Sequence, residues 1–252
     1  EWLIYEVEAQ FAKWPSPRLK TAKEHWELLV KRGRFVFRDQ SYWMYMMIEI
    51  VVGSGVAQLL KSERFKKNRF CWNKAIGGAT YVVDLQTSRL SKKTERSFTF
   101  NLGIFHSFVW TTCWGKAAPK FVREVDCFPR KRLGTPTASH VGERWWNVTE
   151  ASNFDLIAEE IVDLLISSGL PFLHEMSSLD KINECFQQRK DALNPLEKIY
   201  LAIIKDELGE IEQSEALLLD AETNYWKPRV EFVRQSLKMN THARQQHKTG
   251  SL

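Results

Sequence analysis

The sequence has no run of about 18 consecutive apolar residues, the length needed to span a hydrocarbon core. Its longest candidate, residues 44–60, is broken by Glu49, Gly53 and Gly55, so it reads as a buried helix and no membrane partner is expected. The first six residues, Glu-Trp-Leu-Ile-Tyr-Glu, lack the basic start and small-residue cleavage site of a secretory signal. Cysteine is sparse: residues 71, 113, 127 and 185 lie 42, 14 and 58 positions apart, without a Cys-x-x-Cys pair or a histidine at ligand spacing. A zinc site and a disulfide framework are therefore not expected. The four thiols read as reduced and mostly buried, which points to a cytoplasmic location and leaves the sequon Asn147-Val148-Thr149 without weight. A phosphate-binding glycine loop is also missing, since Gly53-x-Gly55 lies in a helical pattern without a third glycine or a following Lys-Ser/Thr. No cofactor is expected.

What is present is an ordinary globular composition, 44% apolar and 27% charged, with an excess of ten tryptophans. The net charge of +5 hides a segregation. Residues 61–144 carry 17 Lys/Arg against 6 Asp/Glu, and residues 145–226 carry 5 against 17. A basic middle attracts phosphate, but opposite blocks in one chain can also pack beside each other and cancel beyond a Debye length of about 10 Å.

Residues 1–47 read as an aromatic-rich extension. Trp14-Pro15-Ser16-Pro17 separates two helices, the second over 19–31, and a short strand is expected at 35–37. A helix follows over 48–60. Strand alternation is strongest over 80–87 and 97–105, with a Gly77-Gly78 turn before the first; in the second, Phe98, Phe100, Leu102 and Ile104 share one face. Another strand is expected over 120–128, where Arg123 interrupts the apolar face, and then a basic loop at Arg130-Lys-Arg-Leu-Gly134. After Trp145-Trp146 the pattern is helical: a helix from about Asn153 capped by Ser152 and ended by Gly169 and Pro171, another from Ser178, and an αα-hairpin opened by Asn194-Pro195. A last helix spans about 228–237, and residues 241–252 read as a disordered tail. The expected fold is α+β: an antiparallel meander packed by helices over 48–190, with a C-terminal helical hairpin plus helix over 191–240.

The segments Arg64-Phe-Lys-Lys-x-x-Phe70, Val82-Val-Asp-Leu-Gln-Thr-Ser88, Phe98-Thr-Phe-Asn-Leu-Gly-Ile104, Cys127-x-x-Arg130-x-Arg-Leu-Gly134, Trp145-Trp146 and Gly169-Leu-Pro-Phe172 together resemble one bacterial family, domain of unknown function 4304. The resemblance covers about residues 48–190. It implies a bacterial or mobile-element cytosolic protein and carries over no catalytic residue.

Strand alternation places Asp84, Gln86 and Ser88 on one side of a strand, with Thr99 and Asn101 on its neighbour, as a polar patch. A solvated sheet face explains such a patch as well as a site does, and the acidic-x-Lys element of metal nucleases does not follow Asp84. Arg130 and Arg132 are the best ligand candidates, since guanidinium groups bind carboxylate or phosphate bidentately; their structural alternative is pairing with the acidic C-terminal helices. Of Trp145 and Trp146, one is expected in the core and the other free to stack a base or anchor a protein. Cys113 or Cys127 with His106 or His140 has no local motif of covalent catalysis. The leading expectation is a non-catalytic protein-interaction or regulatory module, with toxin immunity or defence as the setting it would fit, and a protein partner bound through the N-terminal extension or the C-terminal helices. The alternative is nucleic-acid binding through residues 130–134 and Trp145/Trp146. A hydrolase or nuclease on the polar patch is third.

Overall fold

The structure, a computed structural model, describes residues 47–89, 95–134, 144–149, 151–187 and 192–249, with side chains to Asn240 in the last helix. The helices and strand expected within residues 1–45 lie outside these residues. Helical residues 47–51 pass through a wide turn, Val52–Val56, into α1 (Ala57–Ser62). The chain leaves α1 through paired bonds of 2.9 Å, Phe65 N–H to the Leu60 carbonyl and Arg64 N–H to that of Lys61. This is a Schellman ending, with Arg64 in the left-handed position.

Six strands follow: β1 (Lys66–Asn68), β2 (Cys71–Ile76), β3 (Ala79–Thr87), β4 (Arg96–His106), β5 (Arg130–Arg132) and β6 (Trp146–Val148). They form one antiparallel sheet in the order β1-β2-β3-β4-β5, and β6 also pairs with β4. Both short strands use one edge of β4, with β5 opposite Asn101–Gly103 and β6 opposite Arg96–Phe98. Gly77 and Gly78 take positive φ in the β2–β3 turn, as a two-residue hairpin requires.

Phe98, Phe100, Leu102 and Ile104 face the helices, as their alternation predicts, together with Trp72, Tyr81, Val83 and Leu85. Phe98, Phe100 and Trp146 pack with ring centroids 6.0–6.2 Å apart. Truncating one such ring to alanine costs about 3–5 kcal/mol. The opposite face is also covered, which is why β4 is buried from Phe98 to His106. There Cys71, Val82, Phe105, Val122 and Cys127 make a second, smaller core.

That second core corrects the strand expected over 120–128. The segment crosses the sheet's back face and contains one tight turn, Glu124–Asp126, with Val125 69% exposed. Its backbone is held by a side chain: Asn73 Oδ1 accepts from Val122 N–H at 2.7 Å, and Asn73 Nδ2 donates to the Val122 carbonyl at 3.0 Å. Gly103 makes the crossing close enough, because a Cβ there would lie 2.5 Å from Cys127 Cβ. The basic loop expected at 130–134 begins instead as strand β5, and Trp146 opens β6 before the helical part.

The helices are α2 (Ser107–Trp114), which the sequence reading did not anticipate, α3 (Phe154–Leu164), α4 (Leu170–Glu175), α5 (Leu179–Gln187), α6 (Pro195–Glu207), α7 (Ile211–Ala221) and α8 (Lys227–Thr249). Asn153, not Ser152, caps α3 by accepting from Leu156 N–H. Gly169 and Pro171 do not end the helical run: a wide turn at Leu165–Gly169 carries it into α4, with Gly169 seated against Leu102 and Leu133 and Pro171 in the first turn of α4. Asn194 and Glu197 form the capping box that opens the expected α6–α7 hairpin. The last helix continues to Thr249, which corrects the disordered tail expected from residue 241.

The C-terminal helices share the main core, which runs from Met47 to Leu237. Buried Lys205 ties α5 to the hairpin by donating to Asn183 Oδ1, Glu210 Oε2 and Gln213 Oε1 at 2.6–2.8 Å, the dense pairing that a buried ammonium needs. On α8, Arg229 lies 4.4 Å from the Trp114 ring and donates to the Cys113 carbonyl.

Candidate interaction face

The sheet's back face gathers most of the polar residues singled out by alternation. Asp84 on β3 and Asn101 on β4 are register partners, as are Gln86 and Thr99, and Asn101 with Arg132 on β5. Asn101 Nδ2 donates to Gln86 Oε1 at 2.9 Å, and Arg132 Nε donates to Asn101 Oδ1 at 3.3 Å. The Arg132 guanidinium lies 5.0 Å from the centroid of Trp145. Gln86, Asn101 and Arg132 thus form a continuous line across three strands, oriented by backbone pairing, and Trp145, the residue before β6, extends it.

Beside this line the crossing segment adds paired charges. Arg123 donates to both oxygens of the buried Asp84 carboxylate, Nε at 2.9 Å and Nη2 at 3.3 Å, while 61% of the Arg123 side chain stays exposed. Arg130 pairs with Glu124 at 3.4 Å. Burial pushes the Glu124 carboxyl above its ordinary value, opposed by Arg130. Three guanidinium groups (Arg123, Arg130, Arg132) therefore stand among three carboxylates (Asp84, Glu124, Asp126), and the face has little net charge.

The structure brings together Asp84, Gln86, Asn101, Arg130, Arg132 and Trp145. It removes Trp146 from the candidates: its ring is 3% exposed and stacked on Phe98, so it cannot stack a base. Arg130 pairs within its own segment rather than with the acidic C-terminal helices. Among the ion pairs described, Arg144 with Glu160 joins the basic block to the acidic one. Arg123 and Glu124 were missed as site residues; the signal was the break that Arg123 makes in an otherwise apolar strand pattern.

Among the described residues no disulfide joins the four cysteines. Burial pushes Cys71 and Cys113 up to about 12 and Cys127 well above its ordinary value, the opposite of what a thiolate nucleophile needs. His106 is buried and His140 lies outside the described residues. Among the described residues no three His, Cys, Asp or Glu side chains are placed to hold a metal ion, and no helix is long and apolar enough to cross a membrane.

Fold and face together define an α+β domain with a helix-covered sheet and a polar back face strapped by one crossing segment. Residues 56–175 match the family model described as a domain of unknown function (DUF4304), and the chain carries such a domain there. The matched stretch is narrower than the 48–190 of the resemblance and takes in all six strands. No curated protein and no solved structure matches the chain.

Proposed function

We propose that the chain is a non-catalytic protein-interaction module that binds its partner through the back face of the sheet, with Trp145 and Arg132 at the centre of contact. The observation that carries this reading is the Arg132–Trp145 stack, fixed to the sheet by Asn101 and Gln86. Tryptophan and arginine dominate binding hot spots, and a preorganised side chain loses less entropy on association. The balanced charges around the stack favour a protein surface over a polyanion, because Glu124 and Asp126 would repel phosphate as the arginines attract it. Exposed Leu219 on α7 and Tyr225 in the turn before α8 add secondary contacts.

The test is a paired capture from native-host lysate after nuclease treatment, with the wild-type chain and with Trp145→Ala and Arg132→Glu variants of equal melting temperature. A stoichiometric protein held by the wild type and lost from both variants is the expected result. A protein held equally by all three would end this assignment of the face.

A further inference from the structure

The end of α1 and the β1–β2 hairpin that follows it present a surface of a different kind. Lys61, Arg64, Lys66 and Arg69 are all exposed, and none of them has a hydrogen-bond or ion-pair partner for its side chain among the described residues. Their neighbours Lys67 and Lys74 are used by the fold: each pairs with a glutamate, Glu49 or Glu63, and lies near aromatic rings. No aspartate or glutamate occurs between Glu63 and Asp84. Glu49 and Glu63, the carboxylates beside these cations, are taken up by Lys67 and Lys74, so the charge left without a partner here is positive.

Two of its four cations occupy backbone positions that suit glycine. Arg64, at φ 65°, fills the left-handed position after α1 where glycine is usual. Arg69, at φ 54°, is the first residue of the two-residue link between the register partners Asn68 and Cys71, where a left-handed conformation again favours glycine. An L side chain is strained at both positions, and in neither does the fold use the guanidinium. Local rules broken without structural return are expected where a residue serves function.

We propose that the end of α1 and this hairpin form a second binding surface, which holds the phosphate backbone of a nucleic acid, without regard to base sequence, through Lys61, Arg64, Lys66 and Arg69. Guanidinium groups suit phosphate because they donate two parallel hydrogen bonds. A membrane surface would require exposed apolar side chains beside the cations, and an acidic protein would require an apolar anchor site. Phe65 is instead buried and Phe70 half-buried.

The test uses the whole chain and a fluorescein-labelled duplex of about 20 base pairs of arbitrary sequence, with anisotropy read between about 50 and 200 mM salt, the range over which phosphate contacts weaken steeply. Arg64→Gly with Arg69→Gly is expected to weaken binding at least about tenfold and to reduce the log–log salt slope by about 2, since each phosphate contact contributes about 0.9. The melting temperature should stay level or rise, because glycine relieves both positions; a purely structural role for the arginines would lower it. Arg64→Asn with Arg69→Asn, which also tolerates the left-handed backbone, should give the same loss, and Arg64→Lys with Arg69→Lys should keep most of the affinity. The proposal is overturned if the wild type does not bind the duplex at low salt, or if the glycine variant binds with unchanged affinity and slope. Hairpin-dependent binding that is tighter to poly-glutamate or to phosphatidylserine vesicles than to the duplex overturns it as well.

Discussion

Replacing His106 by phenylalanine should remove much of the protein's sensitivity to acid. The imidazole sits at the end of β4 with 7% exposure, meets Phe108 edge-to-face at 5.8 Å, and has no hydrogen-bond partner for Nε2 among the described residues. Burial pushes its pKa from 6.5 down to about 4. With the folded value below the unfolded one, the unfolded chain takes up the proton first, so the stability is full above pH 6.5 and is lost as pH falls toward 4. A gap of about 2.5 pKa units at about 1.36 kcal/mol each corresponds to roughly 3 kcal/mol, a large share of the ~5–15 kcal/mol that holds a domain folded. Glu124 works in the opposite sense. Its folded pKa is raised above the ordinary 4.5, so its contribution is full below that value and is lost as pH rises through the folded pKa. Urea unfolding at pH 7, 6, 5 and 4, carried out in a Glu124→Gln background, isolates the histidine. Relative to that background, His106→Phe should flatten the loss between pH 6.5 and 4. Parallel loss with and without His106 would refute the reasoning.

Gly103→Ala should destabilise the fold by about 3 kcal/mol or more, since the new Cβ would meet Cys127 Cβ at 2.5 Å and Sγ at 2.9 Å; Cys127→Gly should restore most of the loss in urea melts, whereas Cys127→Ala, which keeps the clashing Cβ, should not. Arg123→Ala strands the buried Asp84 carboxylate and should cost about 1–2 kcal/mol, discounted for the exposure of the guanidinium. Adding Asp84→Asn should recover part of that cost in the same measurement.

The centre of the sheet was legible because β3 and β4 are long enough to show alternation, and alternation also assigned Asp84, Gln86, Thr99 and Asn101 to one face. β5 and β6 were not legible, since three residues carry no period and their pairing depends on the free edge of β4. The segment over 120–128 looked like a strand because Phe121, Val125 and Cys127 alternate. Its backbone partner is the Asn73 side chain, 49 residues before Val122, and no local signal reports that. The tryptophan pair has one core member, Trp146, and one half-buried member, Trp145, and only the pairing of Trp146 with Phe98 fixes which is which. Arg130 and Arg132 stood out by composition. Arg130 pairs with Glu124 of the crossing segment, so for it the expectation of pairing with the C-terminal helices failed on topology, and Arg132 donates to Asn101 on β4.

The C-terminal helices bear on the back face by another route. Phe128 lies in the crossing segment between Glu124 and Arg130, and its ring packs against Phe186 of α5 at 4.9 Å and Tyr200 of α6 at 5.9 Å. Tyr200 in turn accepts a hydrogen bond from Trp114 Nε1 at 3.1 Å, and the same indole carries Arg229 of α8. The strap that presents Arg123, Glu124 and Arg130 is therefore anchored at one end by Asn73 on the sheet and at the other by helices that lie beyond residue 175. A chain ending at the family boundary would expose Phe128 and leave that end of the strap without its packing partners, at a cost of two buried aromatic contacts of about 0.5–1.5 kcal/mol each beyond the area they bury. The face and the C-terminal helices consequently form one structural unit, although the matched domain contains only the first of them.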